Sequence, residues 1–130
     1  MNTPYFDYLR ESGRLTEEQA ARYRHVHPSA ETWIGRLMVS HGLINMEQVN
    51  MILHRQDISG GLFGENAVAL GLVTASHRDI LLVAQELRRN VELLERLALS
   101  GDLPFAEGLA ALREFYAEQD ARCSGAAATC

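Results

Sequence analysis

At 130 residues, 47% hydrophobic and 22% charged, the chain has the size and composition of one globular domain with a real core, neither disordered nor membrane-spanning. A formal charge of −5 leaves no net field for a polyphosphate backbone, and no basic patch stands out, so DNA and RNA are excluded as partners while a small anion is not. The opening MNTPYFDYLRESGRL lacks the apolar run of a signal peptide and both cysteines, Cys123 and Cys130, fall in a small-residue tail, which together predict a cytoplasmic protein without a disulfide framework.

Thr3-Pro4 signals a first helix, proline being harmless at the first helical position, and Gly13 stops it. Thr16-Glu-Glu-Gln19 reads as a capping box for a second helix to about His25, broken by His27-Pro28-Ser29. A third helix is predicted from Ala30 or Thr32 to His41, with Gly42 just beyond it in the left-handed conformation. Asn45-Met-Glu-Gln48 opens a fourth, with Val49, Ile52 and Leu53 on one face and Gln56 at its end. After the linker DISGG, Phe63 to Leu70 repeats the short helix before the stop at Gly71. From about 75 to 99 a long helix carries Ile80, Ala84, Leu87, Val91, Leu94 and Ala98 at alternating steps of four and three, a heptad seam that either packs on the repeats or joins two copies of the chain. A last helix is predicted over 105–121, and residues 122–130 are expected to be a flexible tail.

The chain is built on a repeat. Residues 33–56 and 62–85 align without a gap at a period of 29: Gly35 with Gly64, Gly42 with Gly71, Leu43-Ile44 with Leu72-Val73, Leu53 with Leu82, Gln56 with Gln85. One step back gives a degenerate copy over about 4–27, which shares Gly13, Leu15 and Gln19 but has His27 where the closing glutamine should be. Leu97, Gly101 and Leu103 echo the stop a fourth time, one residue out of register. The fold expected is all-α: a single helical domain over 1–121 made of tandem helical hairpins, then a long helix and a C-terminal helix.

The paired 24-residue blocks, five residues apart, resemble the N-terminal regulatory domain of type II secretion and type IV pilus extension ATPases, in the form called MshEN, which binds cyclic di-GMP. The resemblance covers 33–85 and, more weakly, the preceding hairpin. It implies a hydrophobic ligand seat at Ile34-Gly35 and Phe63-Gly64, at Gly42-Leu43 and Gly71-Leu72, on the helices at Val49, Leu53 and Leu82, and at the closing Gln56 and Gln85. The sequence departs from the family where it matters chemically: Trp33 and Leu62 replace the opening arginines, and Arg78 replaces a helix leucine. Two lost charge-assisted donors are worth about 3–6 kcal/mol, so Arg36 and Arg78 become the candidates for the missing charge and Trp33 a candidate stacking platform or packing residue.

No other chemistry competes well. His25-x-His27 is the only close histidine pair among His25, His27, His41, His54 and His77, and it points to two faces of a helix, so no metal is expected. The glycines make no phosphate loop and the chain has no lysine, which leaves no nucleotide-hydrolysing engine and no reason to expect an enzyme. Two readings remain: a regulatory module binding cyclic di-GMP or a related purine dinucleotide and signalling to a secretion, pilus or motility partner, or a nucleotide-free adaptor or dimerisation module. Neither requires a cofactor or insertion into a membrane.

Overall fold

In the computed structural model, which describes residues 1–125, seven α-helices and one 3-10 turn make up the regular structure, with no strand among the described residues. They are α1 (Pro4–Glu11), α2 (Glu17–Arg24), the 3-10 turn Ala30–Thr32, α3 (Ile34–Ser40), α4 (Met46–Ser59), α5 (Phe63–Ala69), α6 (Ala75–Ser100) and α7 (Phe105–Gly125). Both capping boxes are closed in both directions. Gln19 N donates to Thr16 Oγ1 at 3.1 Å and Thr16 N to Gln19 Oε1 at 3.0 Å; Gln48 N and Asn45 N make the same exchange at 2.9 Å. Each such cap is worth about 1 kcal/mol. At α6 only half of the box survives, His77 N donating to Thr74 Oγ1, because histidine stands where glutamine stood.

The helix stops are alike. Gly42 has φ +73 and its N–H reaches Val39 O, while Leu43 N reaches Met38 O; Gly13, Gly71 and Gly101 lie at φ +77, +73 and +81 with the same pair of bonds to the preceding turn. Four residues before these glycines stand Leu9, Met38, Ala67 and Leu97, and two after stand Leu15, Ile44, Val73 and Leu103; all eight are buried. The stop at Gly101, faint in sequence, is thus as well formed as the others.

Contacts divide the chain into two compact units, Ser29–Arg88 and a discontinuous one of Met1–Pro28 with Arg89 onward. Where the sequence read as a single domain over 1–121, the repeat at 4–27 belongs to the discontinuous unit and the repeats at 33–56 and 62–85 form the continuous one. In the discontinuous unit α1 packs on α7, and Tyr5, Phe6, Leu9, Leu93, Leu94, Leu97 and Phe115 form its core, with Tyr5 Oη donating to Gly108 O at 2.8 Å. Gln19 Nε2, Arg22 and Tyr23 of α2 converge on Asp102: the Gln19 amide on its carbonyl at 3.2 Å, the guanidinium on Oδ1 at 2.8 Å, and the phenol on Oδ2. In the continuous unit α5 packs on α3 and α4 around Leu37, Met38, Ile44, Ile52, Ala67, Val73 and Leu81.

Three expectations shift at element ends. The third helix does not begin at Ala30: a 3-10 turn capped by Ser29 comes first, and Trp33, at ψ 138, breaks the chain before α3. α4 runs three residues past Gln56 to Ser59, shortening the linker to the glycines and Leu62. α7 continues through Gly125, so 122–125 are helix; residues 126–130 of the expected tail lie outside the described residues, as do the side chains of Cys123 and Cys130. The heptad seam is also divided. Leu94 is buried in the core of the discontinuous unit, whereas Ile80 and Leu87 are exposed on the continuous one. No helix among the described residues is long and apolar enough to cross a membrane.

Candidate ligand site

The site grows out of the repeat in the continuous unit. Each short helix begins with an apolar residue and a glycine, and beside that glycine lies a groove whose lining also takes in side chains of the longer helix that follows the stop. In the first copy this is a groove of about 550 Å³ over Gly35, lined by Trp33, Ile34, Arg36, Val39, Ser40, Met46, Val49, Leu53 and Phe63. In the second it is a groove of about 550 Å³ over Gly64, lined by Ile34, Leu62, Phe63, Glu65, Arg78, Asp79, Leu82 and Gln85. The two adjoin, because Ile34 and Phe63 line both.

The grooves differ in chemistry. That over Gly35 is almost wholly apolar, with the exposed guanidinium of Arg36 as its one charge. Trp33 is 56% exposed at its edge, which favours the stacking platform over the packing residue. That over Gly64 is mixed: Arg78 pairs with Asp79 at 3.0 Å, and Glu65 reaches back to the Leu62 amide at 3.3 Å. Each groove therefore holds one arginine, Arg36 in the first and Arg78 in the second.

The glycines are approached by the protein's own side chains. A Cβ on Gly35 would sit 3.0 Å from Phe63 Cζ, and one on Gly64 3.1 Å from Arg78 Cγ. Glycine at these positions lets a ring and an arginine stem lie down on the helix backbone, so the floor of each hollow is partly covered.

The closing glutamines do something that their place in the motif did not suggest. Gln56 Nε2 donates to Gly61 O and Gln85 Nε2 to Thr32 O, both at 3.0 Å. Gly61 and Thr32 are 29 residues apart, as the glutamines are, so each copy holds the residue just ahead of the other copy's opening. Trp33 and Leu62 both start a helix without a side-chain cap, and these bonds fix the backbone leading into them. Asn66, buried in α5, adds bonds to Gly60 O at 3.0 Å and Leu62 O at 2.8 Å.

Of the sequence-derived site residues, Trp33, Gly35, Arg36 and Leu53 gather in the first groove, Leu62, Gly64, Arg78, Leu82 and Gln85 in the second, and Ile34 and Phe63 in both. Gly42, Leu43, Gly71 and Leu72 are not in either lining; they form the helix stops. Gln56 is likewise outside the linings, on the linker. Met46, Val39 and Ser40 were missed, along with Glu65 and Asp79. Met46 was findable, since Met46, Val49 and Leu53 recur at helical spacing on one face; Glu65 and Asp79 carry no such signal. Among the described residues, no group of three or more His, Cys, Asp or Glu is placed to hold a metal.

Comparisons with protein-family models, with curated proteins and with solved structures each returned no match to this chain. The chemistry of the grooves is therefore the ground on which a function has to be argued.

Proposed function

We propose that the chain is a non-catalytic regulatory module that binds a cyclic dinucleotide of the cyclic di-GMP class across the two grooves of its continuous unit, and passes that signal to a protein partner in the cytoplasm. The observation that carries this is the pairing: two adjoining grooves of about 550 Å³, one per repeat, each with one arginine. A cyclic dinucleotide also has two like halves, each a purine and a phosphate. Trp33 offers a ring face for one purine, a contact worth about 1–3 kcal/mol. Glu65 offers a carboxylate acceptor of the kind a guanine edge, with its ring and amino N–H donors, would use. The apolar walls supply burial at about 25 cal/mol per Å².

Trp33 is the only tryptophan, so its fluorescence reports on the first groove directly. Titration with cyclic di-GMP should change its emission and release heat in a calorimeter with a dissociation constant in the micromolar range, against cyclic di-AMP and GTP as controls. No change in emission and no heat near a millimolar of ligand overturns the proposal.

A second reading has its own observation. Met51, Ile58, Leu62, Ile80, Val83 and Leu87 are all exposed on the continuous unit, large apolar side chains of the kind that a protein partner covers. An adaptor or homodimer that keeps the repeat and has lost the nucleotide would use that surface, and the division of Arg78 between the groove and Asp79 favours it. Light scattering separates the two: a dimer that dissociates on Ile80→Glu with Leu87→Glu, in a chain inert to cyclic di-GMP, belongs to the adaptor.

A further inference from the structure

A third, open pocket, of about 350 Å³, lies wholly within the discontinuous unit, where the chain leaves α2 and where it enters α1. Its lining includes Arg24, His25, His27 and Arg89, with Asn2 and Thr3 as further polar groups, and contains no Asp or Glu. That balance runs against the chain as a whole. With 17 acidic residues against 12 basic ones, a lining chosen by chance should hold more carboxylates than guanidinium groups, yet this one has two arginines, two histidines and no acid. The linear sequence hides the cluster, since Arg89 is 65 positions from Arg24, and the fold assembles it.

We propose that this cavity is a binding site for a phosphate group, free or as the terminal phosphomonoester of a small metabolite. Arginine presents a planar fork of donors that fits a tetrahedral oxyanion bidentately. The Thr3 hydroxyl, whose oxygen already accepts from Phe6 N at 3.2 Å, still has its own proton to give. Asn2, exposed beside it, supplies amide donors. Glu17 stands 4.0 Å from the Arg24 guanidinium, on an exposed, long ion pair, and Arg89 also has a partner within the protein; a bound dianion, with twice the charge of a carboxylate, competes with both. The volume is at the small end of ligand pockets, enough for a phosphate with a few carbon atoms and too small for a dinucleotide. This site is separate from the grooves described above, and its occupancy does not depend on the cyclic dinucleotide proposal.

The test is an amide-resolved NMR titration of the full chain with inorganic phosphate, and in a second arm with glycerol phosphate, at ionic strength matched by sodium chloride. Saturable shifts at Asn2, Thr3, Arg24 to His27 and Arg89, with the Trp33 indole unmoved, are expected. Tighter binding of the ester marks a metabolite site and equal binding a free-phosphate site, and both support the proposal. Arg24→Gln with Arg89→Gln should weaken binding at least tenfold; the single variant Arg24→Gln, at an exposed position, serves if the double variant loses its helical circular dichroism. Shifts no larger than those from matched chloride, or shifts that persist undiminished in a folded variant, overturn it.

Discussion

Gln85 donates its side-chain amide to the carbonyl of Thr32 at 3.0 Å across 53 residues of sequence, and Gln56 repeats the gesture on Gly61. The two bonds make the repeats mutually dependent, since each holds the entry to the other's short helix. A glutamine that a motif would assign to a ligand is, in this fold, spending its amide on the backbone beside the first groove.

Removing that amide should be felt at Trp33 before it is felt anywhere else. Gln85→Ala is expected to cost about 0.5–1.5 kcal/mol in chemical denaturation, the net worth of one hydrogen bond. It should also alter the emission and quencher access of Trp33, next to the released carbonyl. Gln56→Ala should show a similar loss of stability with little change in Trp33, because its partner lies ahead of Leu62.

The groove arginines should act on affinity and not on the fold. Arg36 is exposed and Arg78 partly so, and neither belongs to the core. If each holds a phosphate of a cyclic dinucleotide, Arg36→Ala and Arg78→Ala should each weaken binding about tenfold to a hundredfold, from about 1.5–3 kcal/mol per charged hydrogen bond. Denaturation midpoints should move little. Calorimetry and denaturation on the same variants check both halves.

Gly35→Ala probes the floor of the first groove. The new methyl would meet the Phe63 ring at 3.0 Å, so the ring must move, and Phe63 is the wall that the two grooves share. A loss of about 1–3 kcal/mol is expected from overpacking. Gly35→Ala combined with Phe63→Leu should recover part of it, and a double-mutant cycle measures the coupling.

Acid should loosen the discontinuous unit through Asp102. The Tyr23 phenol, then Ser100 and Arg22, hold its carboxyl below the ordinary aspartate value, against a smaller opposing effect of desolvation. A folded-state value below the unfolded one means the stabilisation is complete above about pH 4 and is lost as pH falls through the folded value. The denaturation midpoint should drop more steeply below pH 4 in the parent than in Asp102→Asn, which should be weaker than the parent at pH 6. At the other end of the scale, burial pushes the Tyr5 phenol up to about 12, so the unfolded chain ionises first and stability should fall between about pH 10 and 12. Tyr5→Phe should flatten that limb in part, since Tyr8 and Tyr23 are raised as well.

Much of the fold was legible because the signals were local. Thr16, Asn45 and Gly42 each act within one turn of helix, and the 29-residue period told where such turns recur. What was not legible depended on distant partners. Trp33 breaks a helix that the pattern carried through it, on a stretch whose Thr32 carbonyl is taken by Gln85. The seam on α6 ran unbroken in sequence, but Leu94 belongs to the core that holds Tyr5 and Phe115 while Leu87 is exposed. Periodicity says which face of a helix is apolar; it does not say what covers that face. The groove linings take in the residues beside the paired glycines, whereas Gln56 bonds a linker carbonyl whose position the sequence did not give away.

The division of the chain also sets an order of events during synthesis. Residues 29–88 are contiguous, so once they have left the ribosome every partner that the continuous unit needs, Gln85 for Thr32 included, is at hand. The first hairpin emerges earlier but must wait: the carbonyl that Tyr5 bonds belongs to Gly108, 103 residues later. A nascent chain thus matures from its middle outward, with Tyr5, Phe6 and Leu9 uncovered in the interval, and a pause in translation before α7 would prolong the exposure of its N-terminal end.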